Sequence, residues 1–103
     1  MPSIQGMQTD AELMRELGGR LKAYRLQQNH GVADLAAKTG LNRNTIVNAE
    51  AGRNPRLRTL LRLLRAHGRL DSVDAFLPAP TVSPLQLLRT AGRARKRARP
   101  RHG

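Results

Sequence analysis

Cysteine and tryptophan are absent from the 103 residues, and tyrosine and phenylalanine occur once each. Without cysteine there is no disulfide and no thiolate metal site, which suits a reducing cytoplasm, the expected location. With so few aromatics, any core must be built from leucine, valine, isoleucine and alanine. No apolar run approaches the roughly 18 residues of a membrane span, so no membrane partner is expected. The opening MPSIQGMQTD lacks the basic-then-apolar form of a secretory leader. Catalytic groupings are missing too. His30, His67 and His102 have no metal-ligand partner at useful spacing and no serine or aspartate arrangement for nucleophilic catalysis. GRLKAYR and AGRARKR lack the phosphate-cradling pattern of a Walker loop. No enzyme activity, no cofactor and no metal are therefore expected, and His30 and His67 read as packing or capping residues.

Acid is scarce and base is plentiful: seven Asp and Glu stand against nineteen Lys and Arg, a formal charge of +12. Sixteen of the basic residues are arginine, whose planar fork suits bidentate phosphate contact. Seven of the nineteen lie in residues 89–103, which hold no acid at all. A polyanion is the partner class this balance favours. The chain has room for one small domain with a modest core.

Apolar periodicity predicts an all-α chain without repeats or strands. Residues 1–8 read as a disordered N-terminus. A first helix is expected over 10–29, or over 17–29 after a short lead-in. Thr9 or Asp10 would cap it, with Leu13, Leu17, Leu21, Tyr24 and Leu26 near one face. Gly18 and Gly19 mark either a break or a close helix contact. VADLAAKTG, closed by Gly40, forms a second, short helix with Val32, Leu35 and Ala36 inward. Asn42 then caps a third helix running through Ala51 and ended by Gly52, with Ile46 and Ala49 inward. Two short helices joined by a tight turn are the helix-turn-helix arrangement. NPRLRTLLRLLRAHG offers Leu57, Leu60, Leu61, Leu63 and Leu64 as the apolar face of a fourth helix, and LDSVDAFL makes a fifth. These close a domain over 9–77. Residues 78–92 form a proline-rich connection and a short helix capped by Ser83 and begun by Pro84. Residues 93–103 read as a disordered basic tail.

LGGRLKAYR, LAAKTG, the turn at Gly40–Leu41, TIVNAEAG and NPRLRTLLRLLRAHG, in this order and spacing, resemble the lambda repressor/Cro-like helix-turn-helix domain, often called the XRE family. The resemblance runs from Leu17 to Leu77. It implies a compact five-helix domain that binds operator DNA as a homodimer, its third helix in the major groove. By position in the motif, it assigns Arg43, Asn44 and Asn48 as base readers and places Asn42 near a phosphate. It sets Arg53 and Asn54 against the DNA backbone and pairs Arg25 with Glu50. One departure stands out. Where the family often has glutamine at the first turn of helix 2, this chain has Val32, so the expectation is a phosphate clamp that is either weaker or replaced by backbone N–H groups at that helix start.

The side chains themselves agree with base reading. Arginine bonds bidentately to a guanine edge, asparagine to an adenine edge, and Val47 suits a thymine methyl. Arg56 and Arg58, with Arg53, lie near the loop before helix 4, within reach of phosphate. The tail RARKRARPR would add salt-dependent, sequence-independent affinity. A single recognition helix offers little contact area, which argues for a symmetric dimer. Leu70, Val73, Phe76, Leu77, Leu85 and Leu88 are the candidate dimer interface, or else close the core of their own subunit. The expectation is a sequence-specific double-stranded DNA-binding regulator, a homodimeric repressor reading a palindromic operator through helix 42–51. The alternatives are a HipB-type antitoxin that also binds a kinase-like toxin protein, and a protein-interaction adapter on the same scaffold.

Overall fold

The computed structural model describes residues 3–7, 9–81, 84–86, 88–89 and 91. The chain divides into two units, residues 1–73 and 74–103. Among the described residues there are helices and turns and no strand. After a 3-10 turn at Ile4–Gly6, the order is α1 (Asp10–Gln27), α2 (Val32–Thr39), α3 (Arg43–Glu50), α4 (Leu57–Ala66) and α5 (Ser72–Phe76). In the second unit, residues 84–86, 88–89 and 91 are helical. The cap expected at Ser83 and the basic tail expected at 93–103 lie outside the described residues.

Thr9 is the cap of α1. Its hydroxyl accepts from Glu12 N at 3.1 Å and donates to Glu12 Oε1 at 2.9 Å, satisfying an orphan donor of the first turn. The helix then runs without a break through Gly18 and Gly19. Gly18 is a contact rather than a hinge. A Cβ there would lie 2.5 Å from the Glu50 carbonyl oxygen and 2.7 Å from that of Ala49, so only hydrogen lets α1 cross the end of α3. At Gly19 nothing lies within 4 Å of the same atom.

The core comprises Leu21, Leu35, Ile46, Ala49 and Leu63, flanked by Val32, Ala36, Leu41, Leu60, Leu64 and Ala66. Leu35, Ile46 and Leu63 are fully enclosed, each worth about 1.5–3 kcal/mol of burial. Three leucines placed inward by periodicity are exposed: Leu17, Leu26 and Leu57. The buried line of α1 is Gly18, Leu21 and Arg25, at i, i+3 and i+7. Leu17 and Leu26 each sit one residue, about 100°, off that line. On α4 the line runs through Thr59, Leu63 and His67. Leu57 lies about 200° round from Thr59.

Lys38 Nζ donates to Ala66 O at 3.0 Å, tying the end of α2 to the last carbonyls of α4. His67, the C-cap of α4, is buried with its ring stacked on Tyr24 at 5.9 Å. Neither ring nitrogen has a hydrogen-bond partner among the described residues. Burial therefore holds the imidazole below its ordinary value. The Glu50 charge opposes that effect, while Lys38, His30 and Arg25 reinforce it.

Two outcomes follow for stability. Gly18→Ala lowers the unfolding free energy in urea by about 2 kcal/mol, because the new methyl meets backbone rather than a yielding side chain. Gly19→Ala raises it by about 0.5–1 kcal/mol through helix propensity alone. His67 binds its proton more readily unfolded than folded. Its contribution is complete above the unfolded value of about 6.5 and is lost as pH falls from there toward the folded value. Urea midpoints across that window decline in the native chain and decline less in His67→Leu.

Candidate nucleic-acid interface

Local capping sets where α3 begins. Gly40 ends α2 in the left-handed region at φ 75°, and its N–H bonds back to Ala36 O at 2.9 Å. The Thr39 hydroxyl donates to Leu35 O at 2.7 Å and accepts from Leu41 N at 3.2 Å, which folds the turn tightly. Asn42 Oδ1 then accepts from Asn44 N at 2.7 Å and starts α3. Ile46 and Ala49 are buried, so rotation of the helix about its axis is fixed. Arg43, Asn44, Val47 and Asn48 are all exposed. At i, i+1, i+4 and i+5 they share the opposite face.

The other end of α3 closes in a Schellman turn. Gly52 N donates to Ala49 O at 3.1 Å and Arg53 N to Asn48 O at 2.9 Å. Gly52 takes φ 74°, and a Cβ on it would meet Met14 backbone atoms at 2.7 Å. Glycine is required there twice over, for the dihedral and for the approach of α1. The turn brings Arg53 back over the helix, where its Nη1 donates to Asn48 Oδ1 at 3.0 Å. Asn54 follows, exposed and in the left-handed region at φ 50°. Arg56 is exposed at the N-cap of α4.

Arg25 and Glu50 meet as a fork. Arg25 Nε and Nη2 donate to Glu50 Oε2 and Oε1 at 2.9 and 3.0 Å, and Nη1 donates to His30 O at 3.0 Å. Both side chains are under a tenth exposed. The hydrogen bonds to Glu50 raise the guanidinium further above its ordinary range, against the cost of burial. One arginine thus holds α1, the end of α3 and the loop before α2 together. It also neutralises the only acid on α3, so the exposed face carries Arg43 as its sole charge.

At the start of α2, Val32 packs against the core and offers no polar group. Gly31 N already donates to Asp34 Oδ2 at 2.9 Å. A phosphate approaching that N–H meets a carboxylate, so Gly31 is not among the backbone donors that could stand in for the missing glutamine. A cation that the sequence reading passed over stands nearby. Lys22 lines a shallow groove with Arg25, Val32, Val47 and Glu50, beside the exposed face of α3. Its spacing of three residues from Arg25 was the available signal. Of the six candidate interface leucine, valine and phenylalanine positions, Leu70, Phe76, Leu77, Leu85 and Leu88 are exposed, and Val73 is half-buried.

Residues 16–76, more than half of the chain, match the family model described as helix-turn-helix domain. No curated protein matches the chain. No described helix is long and apolar enough to cross a membrane.

Removing one member of the buried fork strands the other charge. Arg25→Met or Glu50→Leu lowers the urea-unfolding free energy by about 3 kcal/mol, whereas the double replacement Arg25→Met with Glu50→Leu recovers most of that loss. If the double variant is as unstable as the two singles combined, the fork is not the source of the cost.

Proposed function

We propose, because the chain belongs to the helix-turn-helix domain family, a non-catalytic DNA-binding family, that it is a sequence-specific transcriptional repressor acting as a homodimer on a palindromic operator. In this reading α3 lies in the major groove, with Arg43, Asn44, Val47 and Asn48 at the base edges. Asn42, Arg53, Asn54 and Arg56 contact phosphates on either side. The observation that carries it is the division of α3 into two faces. Ile46 and Ala49 are buried, and an uninterrupted exposed face bears a guanidinium, two amides and a small apolar group. Those are the side chains that discriminate base edges.

Self-association supplies the second half-site, about 34 Å away on the duplex. Phe76, Leu77, Leu85 and Leu88 support it, since large apolar side chains left bare in a small protein favour a partner. The same four residues support a second reading, an autorepressing antitoxin that covers them with a kinase-like toxin instead of a second copy. Light scattering on the purified chain separates the two: a concentration-dependent dimer favours the repressor, and a monomer that associates only with the adjacent gene's product favours the antitoxin.

Anisotropy titrations against a palindrome selected from a randomised duplex library test the main proposal. Arg43→Ala and Asn48→Ala each weaken binding to the selected site about tenfold or more while barely changing affinity for a scrambled duplex. Deleting residues 93–103 weakens both duplexes alike and flattens the salt dependence. Equal losses on both duplexes from Arg43→Ala would mean that charge alone is being read.

A further inference from the structure

Asparagine is free to read adenine because its amide presents one acceptor and one donor on the same edge, matching N6–H and N7. Asn48 is not free in this way. Its Oδ1 receives Arg53 Nη1 at 3.0 Å. A guanidinium has only donors, so the amide can face it only oxygen first, with the NH2 group turned the other way.

The clip is built from the backbone outward. The Schellman turn bonds Arg53 N to Asn48 O at 2.9 Å, so the two residues are joined through main chain as well as side chain. The turn needs Gly52 at φ 74°, and the backbone of Met14 and Arg15 on α1 leaves room for nothing larger. The backbone position of Arg53 is therefore imposed by the fold, and its exposed side chain reaches Asn48 from there.

We propose that Arg53 is a specificity-determining residue that orients Asn48 so that it reads chiefly as a donor and selects guanine over adenine at its base pair. Guanine offers N7 and O6, two acceptors, to the free NH2 group. Adenine needs Oδ1 to accept from its N6–H as well; a second lone pair is there for it, but the Arg53 guanidinium on the same oxygen crowds and repels that donor. The positive charge of Arg53 beside the amide favours the acceptor-rich guanine edge further. Arg53 acts here through Asn48, in addition to any phosphate it touches. The inference rests on the proposed role of Asn48 as a base reader.

Selection from a randomised duplex library, run on the full native chain, Asn48→Ala and Arg53→Met, tests it. Arg53→Met keeps the backbone N–H of the turn, and circular dichroism checks that it is folded. The native chain selects guanine at one position of each half-site, and Asn48→Ala loses preference there. Arg53→Met shifts that same position toward adenine, the guanine-to-adenine ratio falling about tenfold, with other positions unchanged. If Arg53→Met only weakens binding uniformly and lowers the salt slope by about one, Arg53 is a phosphate contact and the inference is overturned. It is also overturned if the native chain selects adenine where Asn48→Ala loses preference. If Asn48→Ala changes no position, the base-reading role itself fails, and the inference falls with it for a distinguishable reason.

Discussion

The closest constraint in this protein is backbone against backbone, where α1 crosses the C-terminal end of α3. Gly18 lets the carbonyls of Ala49 and Glu50 approach within a distance that any Cβ would block, and Gly52 lets the turn after α3 pass the main chain of Met14 and Arg15. Two contacts made by glycine, one on α1 and one in the turn after α3, fix the end of α3 with little freedom to slide. Side-chain packing alone would not achieve this, because rotamers yield and main chain does not. With that end fixed and Ile46 and Ala49 buried, the exposed face of α3 has one orientation.

The charges are arranged on this frame. Arg25 reaches Glu50 and the His30 carbonyl at the crossing itself. Desolvating such a pair is costly, and its net contribution to stability is small. What it provides is geometry and sign: α3 is held at a third point, and its carboxylate is hidden from an approaching polyanion. On the outer side, the Schellman turn that Gly52 permits folds Arg53 onto Asn48. One crossing thus bears on both the orientation of the exposed face of α3 and the turn from which Arg53 meets Asn48.

Much of this was legible in the sequence because it is local. The caps at Asn42 and Gly40, the inward pair Ile46 and Ala49, and the exposed Arg43, Asn44, Val47 and Asn48 follow from spacing over a few residues. Less legible were features set by partners distant in sequence. Gly18 and Gly19 look alike in the chain, yet only one touches α3. Leu17 and Leu26 satisfy a helical period but lie beside the buried stripe of α1, whose places are taken by glycine and a paired arginine, and Leu57 lies on the far side of α4 from Thr59. Thr59 is buried where a polar residue is not expected, and only its spacing of four from Leu63 hinted at it. The Asn48–Arg53 clip joins two side chains five residues apart through the turn at Gly52, and no motif announces it. At the start of α2, Asp34 takes the N–H of Gly31, one of the backbone donors near that helix end.

Amide mapping of the isotope-labelled full chain, titrated with its selected palindromic duplex, tests the central claim that α3 is a groove-reading helix aimed by this crossing. The account predicts the largest shifts over residues 42–48 and 53–56, including the side-chain amides of Asn44 and Asn48, with Gly18 and Leu21 nearly unmoved. Shifts confined to residues 89–103, with α3 unchanged at saturation, would contradict it.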